Sequence, residues 1–161
     1  MKKLVVYYSF EGNTKLMAES IAQTVEADIL ELKLVKESES KGFMRYVWGG
    51  KEALMKKKPE LLTFDKNPQD YDLLFIGTPV WAWSYAPALS TFFSEVKVAH
   101  KKIALFCCHG GGKGKTLKKM EAAITNNQII GTIDFIDPKK KNREANIEKV
   151  KQWAKEIVSK V

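Results

Sequence analysis

Two cysteines are all the chain contains, and they are neighbours, Cys107 and Cys108. Successive residues of a strand point to opposite faces, so a disulfide between them would be strained. Neither a disulfide framework nor zinc-ligand spacing can be built from the pair, and at least one suits the role of a small buried hydrophobe. No run of about 18 apolar residues occurs, which excludes a membrane-spanning helix. The start, Met1-Lys2-Lys3 and then Leu4 to Tyr8, is basic then apolar, but the apolar stretch is too short for a secretory signal and Glu11 and Asn13 follow at once. A cytoplasmic location is therefore expected. No repeat, low-complexity tract or linker interrupts the chain, so 1–161 is expected to fold as a single domain. Acid is in deficit: 19 Asp and Glu stand against 27 Lys and Arg, a net charge of +8 that favours anionic partners. From 97 to 120 there is no acid at all, only lysines at 97, 101, 102, 113, 115, 118 and 119. These lysines form no recognition motif and are not interleaved with stacking aromatics, so no nucleic-acid partner is expected.

What the chain does have is apolar and aromatic residues throughout, 45% and 11% of the total, at a length that buries about 70% of the unfolded surface. Short apolar runs alternate with helical stripes. Leu4 to Tyr8 reads as a strand, and Leu16, Met17, Ile21 and Val25 recur at helical spacing. Ile29 to Val35 alternates, as an edge strand does. Leu73–Ile76 and Ile103–Phe106 are apolar on both faces, as in the middle of a parallel sheet. Ile129–Ile136 supplies a fifth strand, and Ile147, Val150, Ala154, Ile157 and Val161 a last helix. Five strands alternating with helices predict a doubly wound α/β fold. The connection from Lys36 to Asp70 is long. Gly42–Lys58 within it reads as a helix stopped by Pro59, either covering a sheet face or serving as a lid or subunit contact.

In open α/β sheets ligands sit beyond the carboxyl ends of strands. Three connections there have unusual composition. Ser9-Phe10-Glu11-Gly12-Asn13-Thr14 joins a strand to a helix, whose first N–H groups lack intrahelical partners and, with the helix dipole, attract an anion such as phosphate. Gly12 lets the backbone turn, and Ser9, Asn13 and Thr14 add side-chain donors; an ordinary helix cap would use the same residues. No Lys or Arg precedes Lys15 in this loop, so neutral donors are expected to do the binding. Thr78-Pro79-Val80-Trp81-Ala82-Trp83 reads as a loop with Trp81 as a ligand contact, and Trp83 or Tyr85 packed into the core at the head of a helix opened by Pro87. Cys107-Cys108-His109-Gly110-Gly111-Gly112 reads as a loop whose glycines admit a flat ligand edge.

Taken together, Tyr8-Ser9-Phe10-Glu11-Gly12-Asn13-Thr14, Gly77-Thr78-Pro79-Val80-Trp81 and the glycine-rich stretch at 108–112 resemble the flavodoxin family, in order and spacing over essentially the whole chain. The resemblance implies a three-layer sandwich around a five-stranded parallel sheet of order 2-1-3-4-5 and one non-covalently bound FMN. Ser9 through Thr14 would hold its phosphate. Thr78, Pro79, Val80, Trp81 and Ala82, with Cys108, His109, Gly110 and Gly111, would flank its ring. The implied activity is electron transfer as a redox shuttle. The alternative is an FMN-dependent reductase acting on NAD(P)H, a quinone or another small substrate. The implied partner is a redox protein, acidic if the lysines dock it, or a small anionic donor or acceptor.

Three departures matter. The third loop offers His109 and glycines where the family's outer aromatic would come, acid is scarce around it, and residues 79–83 lack the glycine that eases a peptide flip. Less negative charge and a costlier flip predict little stabilisation of the one-electron-reduced flavin and a leaning toward two-electron chemistry. His109, with a side chain that titrates near neutrality, is a candidate proton donor or a hydrogen-bond partner of backbone or flavin. A remote rival is a nucleotide-binding P-loop, since His109 to Thr116 fits its spacing with His109 for the first glycine and Asp134 or Asp137 as the magnesium-holding acid. Only a short segment follows it. A phospho-accepting signalling domain would need acids ending the first strand, where Tyr8-Ser9 stands.

Overall fold

A computed structural model describes residues 1–36 and 58–161. The helix expected over Gly42–Lys58 falls, apart from Lys58, outside the described residues. The described elements are β1 (Lys3–Tyr7), α1 (Asn13–Val25), β2 (Asp28–Glu31), a 3-10 turn (Pro68–Asp70), β3 (Leu73–Trp81), β4 (Ser84–Tyr85), α2 (Pro87–Glu95), β5 (Lys102–His109), α3 (Thr116–Ala123), β6 (Gln128–Ile136) and α4 (Arg143–Ser159).

The strands pair in the order β2-β1-β3-β5-β6, every neighbour parallel, which is the expected order once the two-residue β4 is set aside. β4 adds a sixth strand, antiparallel to the end of β3. The central strands are apolar on both faces because helices cover both. Leu4, Val6, Leu74, Ile76, Ile103, Leu105 and Cys107 point into one core, which Leu89 and Phe92 of α2 and Leu117 and Met120 of α3 complete. Val5, Tyr7, Leu73, Phe75, Ala104, Phe106 and Cys108 point into the other, against Met17, Ala18 and Ile21 of α1 and Val150, Ala154 and Ile157 of α4. Adjacent Cys107 and Cys108 thus belong to opposite cores, and both are buried free thiols.

Three expectations about strand ends need correction. The strand expected over Ile29–Val35 keeps regular pairing only to Glu31, after which Leu34 makes an isolated bridge to Leu61; Leu30, Leu32 and Leu34 still point inward while Ile29 is exposed, as at a sheet edge. Residues 78–81 are not loop, because β3 runs on through Trp81, Pro79 lying opposite Cys108 of β5. Cys107, Cys108 and His109 are not loop either. The pairing of β5 with β6 continues to His109 opposite Ile136, and only Gly110 breaks it. Neighbouring strands extend their ladders through both segments, even past Pro79.

Candidate functional site

The carboxyl ends of β1, β3 and β5 open into one crevice. It is lined by Ser9, Phe10, Glu11, Asn13, Thr14, Pro79, Val80, Trp81, Cys108, His109, Gly110 and Asp137. Eleven of these twelve lining residues are sequence-predicted site residues; Gly12, Thr78, Ala82 and Gly111 are predicted but do not line it.

The first wall is the turn from β1 into α1. Gly12 occupies the position before the helix at φ 95°, a left-handed conformation that glycine adopts without strain. The consecutive backbone N–H groups of Phe10, Glu11, Gly12, Asn13 and Thr14 donate to no acceptor among the described residues; the first amide of the turn that does is Lys15, held by Ser9 Oγ at 3.1 Å. The Thr14 hydroxyl oxygen is buried without a hydrogen-bond partner. Such a row of idle donors at a helix head is the arrangement that binds phosphate.

This loop does not stand alone. Asn13 Oδ1 accepts the backbone N–H of Lys139 at 2.9 Å, and Lys139 Nζ donates to the Glu11 carbonyl at 3.2 Å. The β6–α4 connection thus brings an ammonium to the outer side of a loop whose own donors are neutral. Asn13 ties two loops together with its oxygen instead of only donating inward.

The second wall is the end of β3. Trp81 is only 7% exposed and meets Tyr8 and Phe10 edge-on, with ring centroids 5.6 and 6.0 Å away. Ala82 and Trp83 form the two-residue turn into β4, both at positive φ (47° and 57°) as a type I′ turn requires. Of the two residues expected to pack inward, Tyr85 does so, edge-on to Phe93, and Trp83 stays 70% exposed. Thr78 lies below the crevice, where its hydroxyl accepts the Ala86 N–H at 2.9 Å and donates to the Pro79 carbonyl, closing the base of the hairpin.

The third wall is His109, 8% exposed. Its Nε2 lies 2.7 Å from Asp134 Oδ2, and Lys113 Nζ lies 2.8 Å from Asp134 Oδ1. Burial alone would raise the Asp134 carboxyl, but hydrogen bonds from Lys113 and His109 outweigh it and hold the group below the usual carboxylate range. An ionised carboxylate can only accept, so Nε2 carries a proton, and Nδ1 is buried without a hydrogen-bond partner. The site is also less acid-poor than residues 97–120 suggest. Asp137 lines the crevice, 3.6 Å from Lys141, and Asp134 stands behind His109. Burial pushes the Cys107 thiol up to about 12, and burial likewise raises Cys108, so neither is a thiolate near neutrality.

Asp134, Asp137 and Lys139 are the residues that sequence reasoning left out of the site. Their position at the carboxyl end of β6, Asp134 among its last three residues and Asp137 and Lys139 just past it, was a usable signal. The run Lys139-Lys140-Lys141, however, has the composition of a solvated turn.

The family model for flavodoxins matches residues 2–157. The chain belongs to the flavodoxin family. No curated protein matches it. Among solved structures it resembles a Lactobacillus acidophilus flavoprotein determined in complex with FMN, at 24% identity over 88% of this chain and 97% of that one, with a TM-score of 0.66. A Bacteroides uniformis protein assigned to the flavoproteins superposes with a TM-score of 0.77 at 22% identity, over 96% and 97% of the two chains. Two-electron reduced Megasphaera elsdenii flavodoxin does so with a TM-score of 0.58 at 21% identity, over 95% and 98%. At these identities the likeness is one of fold. Membership in the flavodoxin family also removes the P-loop alternative.

Proposed function

We propose that the chain binds FMN non-covalently in this crevice and serves as an electron-transfer protein. The observation that carries the reading is the uninterrupted row of free amides from Phe10 to Thr14 around left-handed Gly12. Flavodoxin membership and the FMN held by the Lactobacillus relative support it.

Each residue then has a definite task. The amides of Phe10–Thr14 and the unsatisfied Thr14 hydroxyl bind the phosphate, while Asn13 and Lys139 keep the loop in shape from outside. Phe10, Pro79, Val80 and Trp81 give an apolar wall for a flat ring, with Trp81 fixed by Tyr8. Gly110 adds backbone without bulk. His109, steered by Asp134, presents its unpartnered Nδ1 toward the ligand's polar edge. Bound FMN itself supplies the redox chemistry, so no side chain needs to act as acid, base or nucleophile.

The test is titration of the purified chain with FMN and with riboflavin, read by flavin fluorescence and by absorption near about 370 and 450 nm. Tight FMN binding with much weaker riboflavin binding is expected, because the amide row recognises the phosphate. A chain that takes up neither flavin would sink the reading. Oxidation of NADH or NADPH by the FMN-loaded protein, with and without a quinone, then separates a reductase from a shuttle: the shuttle does not turn over with either nucleotide alone.

A further inference from the structure

Trp83 is the largest exposed apolar side chain among the described residues, and its exposure is built in. Its turn places two consecutive L-residues, Ala82 and Trp83, in the left-handed region that L side chains rarely adopt. The facing loop makes room for it with Gly114, at φ 52°, where any Cβ would fall 2.9 Å from Trp83 Cβ and Cδ1. Backbone strain of this kind gathers at sites of function.

Beside the tryptophan, Lys115, Lys118 and Lys119 are exposed at the head of α3 and have no ion-pair partner among the described residues; Lys113 alone is neutralised, by Asp134. Cations at a helix N-terminus are disfavoured by its dipole, so folding does not explain them. Lys118 and Lys119 follow Lys115 by three and four residues, which puts all three on one side of the helix, about 5–6 Å apart. That is a spread surface, too broad to converge on one small anion. The patch also adjoins the crevice: Trp83 lies two residues after Trp81, and the lysine loop begins where His109 and Gly110 end.

We infer that Trp83 and the lysines 115, 118 and 119 form the docking face for an acidic electron-carrier protein, with Trp83 as the apolar anchor inside a ring of charge. This rests on the FMN reading and adds to it the partner and the surface it uses. Charge brings the partner in quickly and orients it, while a central tryptophan supplies much of the affinity.

The test loads the protein with FMN and mixes it with a reduced, acidic plant-type [2Fe–2S] ferredoxin as the probe in stopped flow. Two ferredoxins, each giving one electron, take one FMN to its two-electron-reduced form, with protons from solvent. The variant Lys115→Glu/Lys118→Glu/Lys119→Glu is compared with Lys149→Glu/Lys151→Glu/Lys155→Glu on α4, which carries the same change in net charge on the opposite layer. FMN affinity is checked first and should be unchanged in both. The α3 variant should react at least about ten-fold more slowly and lose its dependence on salt, and the α4 variant should change by less than about three-fold. Trp83→Ala should slow the reaction several-fold at every salt concentration. Equal rates for the two triple variants would overturn the proposal, as would slowing confined to reduction by NADPH, which would make a small anion the occupant. A flavin-independent measurement, loss of the Trp83 indole N–H signal in NMR on adding oxidised ferredoxin, keeps the docking face testable apart from FMN: no effect at Trp83 overturns the docking face, and an effect without FMN uptake overturns only the cofactor reading.

Discussion

Gly12 carries the sharpest consequence of any single residue in the crevice. At φ 95°, and with Lys139 Nζ only 3.1 Å from where a Cβ would sit, alanine there is both strained and crowded. The left-handed penalty of about 1–2 kcal/mol predicts that Gly12→Ala weakens FMN roughly 5–30-fold. Riboflavin, which lacks the phosphate, should bind as before; unchanged FMN affinity in a fluorescence titration would contradict the assigned role of the loop. Asp134 gives a pH prediction. Its folded-state carboxyl lies below its unfolded value of about 3.9, so its contribution to stability is present above that value and is lost as pH falls through the lowered one. Urea midpoints of the wild type and Asp134→Asn should therefore converge as pH drops from 5 toward 3, and a gap constant over that range would refute the assignment. Ser9 to Thr14 were legible in the sequence because a strand, a glycine and short polar residues lie together in eight or nine positions. Asp134, Asp137 and Lys139 were not, since nothing local tells a solvated acid or lysine from one folded back over a distant loop.

Among the elements, β3 and β5 are bound most tightly through a glycine. A Cβ on Gly77 would fall 2.1 Å from Phe106 Cζ, in the middle of the sheet where neither strand can move aside. Gly77→Ala should cost about 1–3 kcal/mol or prevent folding. At Gly131 the nearest atom, Ile157 Cδ1 at 2.4 Å, is the end of a flexible side chain that can rotate away. Gly131→Ala should therefore be the milder change, and chemical denaturation of the two variants checks the order. The existence and type of the described elements were legible from apolar runs and helical stripes. Their ends were not. β3 and β5 run past the positions where local composition suggests a loop because their partners extend alongside them, opposite Pro79 and His109.

For the molecule as a whole, FMN bound only by the folded state stabilises it by mass action. At a free concentration one hundred times its Kd the gain is about 2.7 kcal/mol, so Tm should rise by roughly 5–10 °C. An equal rise with riboflavin would deny the phosphate its part. The two cores also enclose the thiols. With Cys107 pushed up to about 12 by burial and Cys108 raised as well, neither should react with a disulfide reagent near pH 8 in the folded protein. Both should react in urea, and rapid labelling of the native protein would show that the cores are open.

The sequence by itself determined the alternation of strands and helices, the doubly buried central strands and the phosphate-type loop, because these follow from local patterning and from groups a few residues apart. Tertiary structure decided how far β3 and β5 extend, which tryptophan is buried and which exposed, and which charges reach the crevice. Those outcomes depend on ladder partners, on a left-handed hairpin turn facing Gly114 and on the Lys139–Asn13 link, contacts between segments that sequence neighbours cannot reveal.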